Sequence, residues 1–349
     1  MEQKRQHNMD LLRIFACFMV IVLHVSGQNL GSISPASVDW QIFNVFEVLV
    51  RCSVPLFFMI SGKLFLSRDD ISIKRLFSKN ILKLTLVYFI WSFLYAVDTV
   101  GVGNIIASPD ISLLFSATVA SKYHLWYLPS MVSVYLVIPV FIGVKSYKNG
   151  KVLDYVALLF FIFSIVRQSI LLLPMDPAFA GLLNKFNFIF GVPSGYFLLG
   201  HLLDKYKEKL KKIPSYVLIL AFLAITAATA AGSFFLSAEA GTSVSPLYDD
   251  YFISTFLEAA IIFLLFLRLS KLKIHKTAEK IIEKLSAYTL FVYLFHPFVL
   301  EHLNSWFGLN SLSFSPVISV PVISLITFAI CMASAAVISI IPGIRKILF

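Results

Sequence analysis

Runs of about 20 mostly apolar residues recur from one end of this chain to the other, separated by short polar connections. A helix needs roughly 20 such residues to cross the hydrocarbon core of a bilayer. In lipid, only helices and closed barrels satisfy all their own backbone hydrogen bonds. Ten runs qualify, centred on 9–28, 40–66, 80–100, 124–144, 152–173, 186–203, 214–236, 251–269, 286–306 and 318–341. The pattern predicts an all-α, polytopic membrane protein with about ten transmembrane helices in contact with the lipid bilayer. Composition agrees: 58% of residues are hydrophobic and 14% charged, against about 45–50% and 25% in soluble domains. No connection is long enough to hold a soluble domain, so residues 1–349 read as a single transmembrane domain.

The formal charge of +10 would fit a nucleic-acid binder if its placement were ignored. Placement excludes that reading. Of the 29 Lys and Arg, 23 fall in alternate connections: Lys4 and Arg5; Arg68, Lys74, Arg75, Lys79 and Lys83; Lys145, Lys148 and Lys151; Lys205 to Lys212; Arg268 to Lys284, including Lys273; and Arg345 with Lys346. The other connections hold only Lys122 and Lys185. Basic connections stay cytoplasmic, so both termini are expected in the cytoplasm. The first apolar run follows basic residues, as a signal peptide would, but it lacks a clear small-x-small cleavage site and reads as a retained helix.

Charged groups inside the apolar runs narrow the function. Arg13, Arg51, Lys63 and Arg167, the carboxylates Glu47, Asp98 and Glu258, and His24, His124, His201 and His296 all fall at membrane depth. Each costs about 2.5–3.5 kcal/mol or more unless it meets a partner or a water-filled cavity. Arg13 and His24 are 11 residues apart in "RIFACFMVIVLH". At 3.6 residues per turn they share one face of a helix, about 16 Å apart along its axis. One face thus carries a fixed cation near one side of the membrane and a titratable imidazole near the other. Glu47 lies four residues before Arg51, so it can neutralise that arginine within one helix or orient His24 as a base. Arg75, Lys79 and Lys83 recur every four residues and form a basic face at the membrane surface, suited to phosphates or to anionic lipid headgroups. "KYHLWYL" places His124 and Trp126 at the start of a span, where Trp126 and Tyr127 also fit an aromatic belt. "YTLFVYLFHPF" puts His296 mid-membrane beside Pro297. Arg167 is positioned to bind an anionic acceptor or to pair with Glu258, and His201 reads as structural.

Cys17, Cys52 and Cys331 lie in apolar segments without metal-ligand spacing and read as buried thiols. There is no nucleophile elbow, Walker loop or His/Glu metal helix, and no metal is expected.

Four motifs in order carry a family resemblance. Arg13-x10-His24, "SVPLFFMISGKLF" (residues 53–65), "HLWYL" (124–128) and "YTLFVYLFHP" (288–297) resemble the motifs of the acyltransferase-3 membrane acyltransferases. The likeness runs from residue 9 to about 300. It implies an O-acyltransferase of a bacterial inner or plasma membrane. Such an enzyme moves an acyl group, usually acetyl, from cytoplasmic acetyl-CoA to a hydroxyl of an extracytoplasmic glycan, polysaccharide or lipid-linked. The chain departs from the family where relatives often carry an Arg-rich pair entering the third helix: Lys79 and Lys83 follow Arg75 here, and lysine cannot form the bidentate fork.

On this reading Arg75, Lys79 and Lys83 hold the phosphates of acetyl-CoA, and Arg13 steadies its pyrophosphate or pantetheine. His24 acts as general base on the acceptor hydroxyl, with Glu47 as orienter, or takes the acetyl group covalently. His124, Trp126, Arg167 and His296 are candidate acceptor contacts. The rival class is a proton-coupled transporter or exporter of sugars or small acids, in which His24 and Glu47 would form the proton-coupled pair.

Overall fold

A computed structural model describes residues 5–107, 110–173, 175–185, 191–271 and 274–348 of the chain. Lys4, Lys273 and the beginning of the expected sixth span, residues 186–190, lie outside the described residues. The described residues are helical, with no strand. The principal helices are α1 (His7–Gly27), α2 (Val38–Val50), α3 (Ser53–Leu66), α4 (Leu82–Val100), α5 (Tyr127–Ser146), α6 (Lys151–Phe160), α7 (Val192–Lys205), α8 (Ser215–Ala240), α9 (Ile253–Arg268), α10 (Lys276–Phe307) and α11 (Pro316–Ile338).

Among the described residues, seven helical stretches are long and apolar enough to cross a membrane: His7–Gly27, Val38–Leu66, Ile73–Val100, Tyr123–Leu171, Ser215–Ala240, Pro246–Lys271 and Pro316–Ile338. They differ from the ten expected at three places, each with a physical reason. Tyr123–Leu171 holds two expected spans in one stretch, and Lys148 and Asn149 reverse it with left-handed backbone. α7 has only 14 described residues. α10 has 32 residues, but His296, Glu301 and His302 interrupt its apolar run.

Two departures from ideal helix matter for the site. Expected as one span, 40–66 breaks at Arg51 and Cys52 into α2 and α3. Pro55 has no N–H for the carbonyl four residues back, so the ladder fails there. Between Arg75 and Lys83 the chain makes a π turn, Phe77–Ile81. A four-residue step overshoots a turn in an α-helix and falls short of one in a π turn, so the two deviations offset along the basic face.

The bundle is pinned by close backbone approach. A Cβ on Gly62 of α3 would lie 1.7 Å from the Phe197 carbonyl oxygen, and one on Gly200 of α7 would lie 2.0 Å from that of Met59. Only glycine allows the two helices to pack this closely. Buried Lys63 pairs with Asp204 at 3.0 Å across the same contact. Away from the core, Leu220, Leu223 and Phe235 of α8 and Phe89 and Phe93 of α4 are exposed. Such surfaces belong in lipid rather than water.

Basic connections bind one another at one end of the bundle. Lys145 donates to the carbonyls of Leu66 and Arg68, Lys205 pairs with Asp154, Arg268 donates to the Ile213 carbonyl, and Arg5 donates to the Glu283 carbonyl.

Candidate active site

The site is a seam between α1 and α10. The two helices run in the same direction, because they touch through matching pairs at two levels. Near the basic end, Arg13 Nη1 donates to Ser286 Oγ at 3.1 Å. Three turns further on, the rings of His24 and His296 stack with centroids 5.1 Å apart and planes 25° apart. The matching levels follow from rise: Arg13 to His24 is 11 residues and Ser286 to His296 is 10, about 16 Å and 15 Å along two parallel axes, so both pairs meet at the same heights.

Each level opens on a cavity. The one near the basic end holds about 170 Å³ and is lined by Arg13, Phe57, Ser61, Tyr127, Tyr135 and Tyr293, among others. Among the described residues, Arg13 is the only charged one that lines it. Its guanidinium is braced by Asp10 Oδ1 at 3.4 Å. Asp10 also accepts from Ser286 Oγ at 2.7 Å and from Arg5 Nε at 2.8 Å. The second cavity holds about 420 Å³, and its polar lining is His24, Gln28, Glu47, Arg51, Tyr123 and Glu301.

Glu47 is buried beside this second cavity, and both its oxygens are taken. Ser26 Oγ donates to Oε1 at 2.8 Å, and Arg51 Nη2 donates to Oε2. Arg51 also sits over the Tyr248 ring, 4.9 Å from its centroid. Of the two roles open to Glu47, the structure forms the pair with Arg51. Among the described residues no hydrogen bond joins Glu47 to His24.

Between the cavities lies a cluster of imidazoles and phenols. His124 meets the edge of His296 at 5.5 Å and that of Tyr293 at 5.6 Å. Tyr123 meets His24 at 5.2 Å, and Tyr293 donates its hydroxyl to the His124 carbonyl. His296 is fully buried. Its Nδ1 lies 2.7 Å from the Tyr293 carbonyl and 3.2 Å from that of Val292. No three His, Cys, Asp or Glu side chains among the described residues are placed to hold a metal.

The structure therefore gathers His24, His124 and His296, with Glu47 at the edge of the group and Arg13 at the other end of the seam. Other candidates lie apart. Trp126 is 45% exposed and lines neither cavity. Arg167 donates to the Leu183 carbonyl at 2.7 Å and to Asn184 at 3.0 Å, while Glu258 accepts instead from Thr226. Arg75 and Lys79 are exposed and Lys83 is half-buried. No ion pair or side-chain hydrogen bond holds these three among the described residues. Leu84, next to Lys83, lines the Arg13 cavity.

Sequence reasoning missed Ser286, Tyr293, Ser26, Tyr123 and Glu301. Tyr293 was within reach of it, since it precedes His296 by three residues on one helix face; Ser286, ten residues before, lies about 80° away from that face. Glu301 was out of reach: it pairs with Lys122 at 2.7 Å across 179 residues of chain.

A family model described as an acyltransferase domain, of the acyltransferase-3 type, matches residues 6–336. This chain belongs to the acyltransferase-3 family. As a member of that family with seven apolar membrane-length stretches, it is a multi-pass membrane protein. It is also similar to an amino-acid racemase of Enterococcus faecalis, with 31% identity over 134 residues, 37% of this chain and 18% of the racemase. The chain thus spans less than a fifth of the length of that curated relative. No solved structure matches it. In the acyltransferase-3 frame, the Arg13-x10-His24 motif is the α1 half of a two-helix seam, and the "YTLFVYLFHP" motif is the other half.

Proposed function

We propose that this protein is a transmembrane O-acyltransferase. It takes an acyl group, acetyl first of all, from cytoplasmic acetyl-CoA and passes it to a hydroxyl of a cell-envelope glycan beyond the membrane. The chain crosses a bacterial inner or plasma membrane ten times, with both termini in the cytoplasm. One observation carries the reading: a single helical seam has an arginine-lined cavity at its basic end and a histidine-lined cavity three turns away. A donor whose phosphates stay at the surface and whose thioester must reach the far side needs that separation. Family membership supports acyl transfer. Racemase chemistry is not carried over from a relative of which less than a fifth is matched.

In this reading Arg75, Lys79 and Lys83 hold the donor phosphates as point charges at the membrane surface. Arg13, held by Asp10 and Ser286, meets the pyrophosphate or the pantetheine. His24 takes the proton from the acceptor hydroxyl as general base. Glu47 acts at one remove, holding Arg51 at the wall of the acceptor cavity. His124 borders the reacting atoms, and Trp126 and Arg167 contact the more distant parts of a long glycan.

The test is transfer of labelled acetyl from acetyl-CoA into envelope glycans by membranes containing the protein. His24→Ala should lower the rate about 10²–10⁴-fold, the usual worth of a general base. Full activity in that variant overturns the mechanism. A folded wild-type protein that neither transfers acetyl nor releases CoA overturns the enzyme and favours the proton-coupled transporter.

A further inference from the structure

Pro297 follows His296 in the middle of α10. A proline has no N–H to give to the carbonyl four residues back, and here that carbonyl belongs to Tyr293. The Tyr293 carbonyl is the group that His296 Nδ1 approaches at 2.7 Å. A carbonyl only accepts, so Nδ1 carries the hydrogen, and the Val292 carbonyl at 3.2 Å demands the same. In neutral imidazole one nitrogen donates and the other accepts. His296 Nε2 therefore presents a lone pair. It is buried without a hydrogen-bond partner, although an unmatched buried polar atom costs about 1–3 kcal/mol. Its ring stacks on that of His24, and the residue sits one turn beyond Tyr293, which lines the Arg13 cavity. An orphaned acceptor held in one tautomer, between the two cavities, requires an explanation.

We propose that His296 is the second proton carrier of the reaction, taking the acceptor's proton from His24 at Nε2 and delivering it to the departing sulfur. The inference rests on the acyl-transfer reading above. The acceptor O–H bond breaks and its proton goes to His24. The oxygen forms the new bond to the acyl carbon, and the C–S bond breaks with its electron pair on sulfur. His24 passes the proton to His296, which gives it to the thiolate and returns to its starting tautomer. Hydroxyl and thioester become ester and free thiol, with nothing left over. The 5.1 Å between ring centroids is closed by rotation about the broad terminal torsion of His24. Pro297 is the positioning residue: by leaving the Tyr293 carbonyl free, it keeps Nε2 open.

The experiment compares acetyl-CoA with its selenium analogue, in which selenium replaces the thioester sulfur. A selenolate is a weaker base and leaves without a proton, and leaving groups of lower pKa depart faster. H296N keeps an amide N–H for the Tyr293 carbonyl and removes Nε2. It should lower kcat about 10²–10⁴-fold with acetyl-CoA and less than about tenfold with the analogue, with donor KM unchanged. A merely structural histidine would lose both donors equally, and that result overturns the proposal. Nitrogen NMR of the wild-type protein in bilayers provides an independent check through the His296 resonance, which should report hydrogen on Nδ1. Hydrogen on Nε2 overturns the proposal even if H296N fails to fold. A wild-type protein that uses neither donor overturns the acyl-transfer reading itself.

Discussion

Arg13 shows how one residue can be both braced and available. Its bonds to Asp10 and Ser286 fix the guanidinium, yet Asp10 also has Arg5 and Ser286 as partners. Removing Arg13 therefore does not strand a buried carboxylate, which is the usual cause of collapse when half of an ion pair is deleted. Arg13→Ala should leave the protein folded and raise the KM for acetyl-CoA about 10–100-fold, since a hydrogen bond to a charged group is worth about 1.5–3 kcal/mol. Steady-state kinetics alongside thermal unfolding in detergent separates the two effects. An unchanged KM would remove Arg13 from the donor site. Arg13 and His24 were legible in the sequence because 11 residues return a helix to one face. Ser286 on Asp10 was not, because 276 residues of chain separate them and no local pattern encodes that meeting. Glu47 was legible only as two alternatives, because helical spacing offers Arg51 as a partner but says nothing of Ser26 on the neighbouring helix.

Helices were read well where a strong apolar period stood alone, and less well where proline or packing intervened. The break at Arg51 and Cys52 was hidden inside a continuous apolar run, and only the position of Pro55 hinted at it. Ser61 and Gly62 are small enough to allow close helix approach, but no local pattern names the partner. That partner is α7, with Gly200 making the reciprocal approach. Gly62→Ala would drive a methyl into the backbone of Phe197, which cannot yield as a side-chain tip would. Overpacking of this kind costs about 1–3 kcal/mol, occasionally more. Gly62→Ala should therefore lower the unfolding temperature in detergent and reduce folded yield, whereas Gly31→Ala, in an open connection, should do neither. Equal stability in the two variants would mean that α3 and α7 do not pack at this distance.

At the scale of the whole molecule, the proposal depends on direction. The site is polar at both ends but not symmetric: an arginine cavity faces the basic connections and a histidine cavity lies away from them. Basic connections remain in the cytoplasm, so the arginine cavity would meet acetyl-CoA and the histidine cavity the glycan. If the chain were inverted, the same residues would face the wrong compartments and transfer from cytoplasmic CoA would be impossible. Cysteine labelling decides this with little background, because Cys17, Cys52 and Cys331 are all buried. Ala36, between α1 and α2, and Lys151, at the start of α6, are both exposed and lie in connections of opposite expected side. In intact cells, a membrane-impermeant maleimide should label Ala36→Cys at once and Lys151→Cys only after the membrane is opened. The reverse pattern would place the donor cavity outside the cell, away from any supply of acetyl-CoA, and would end the acyl-transfer reading whatever the geometry of the seam.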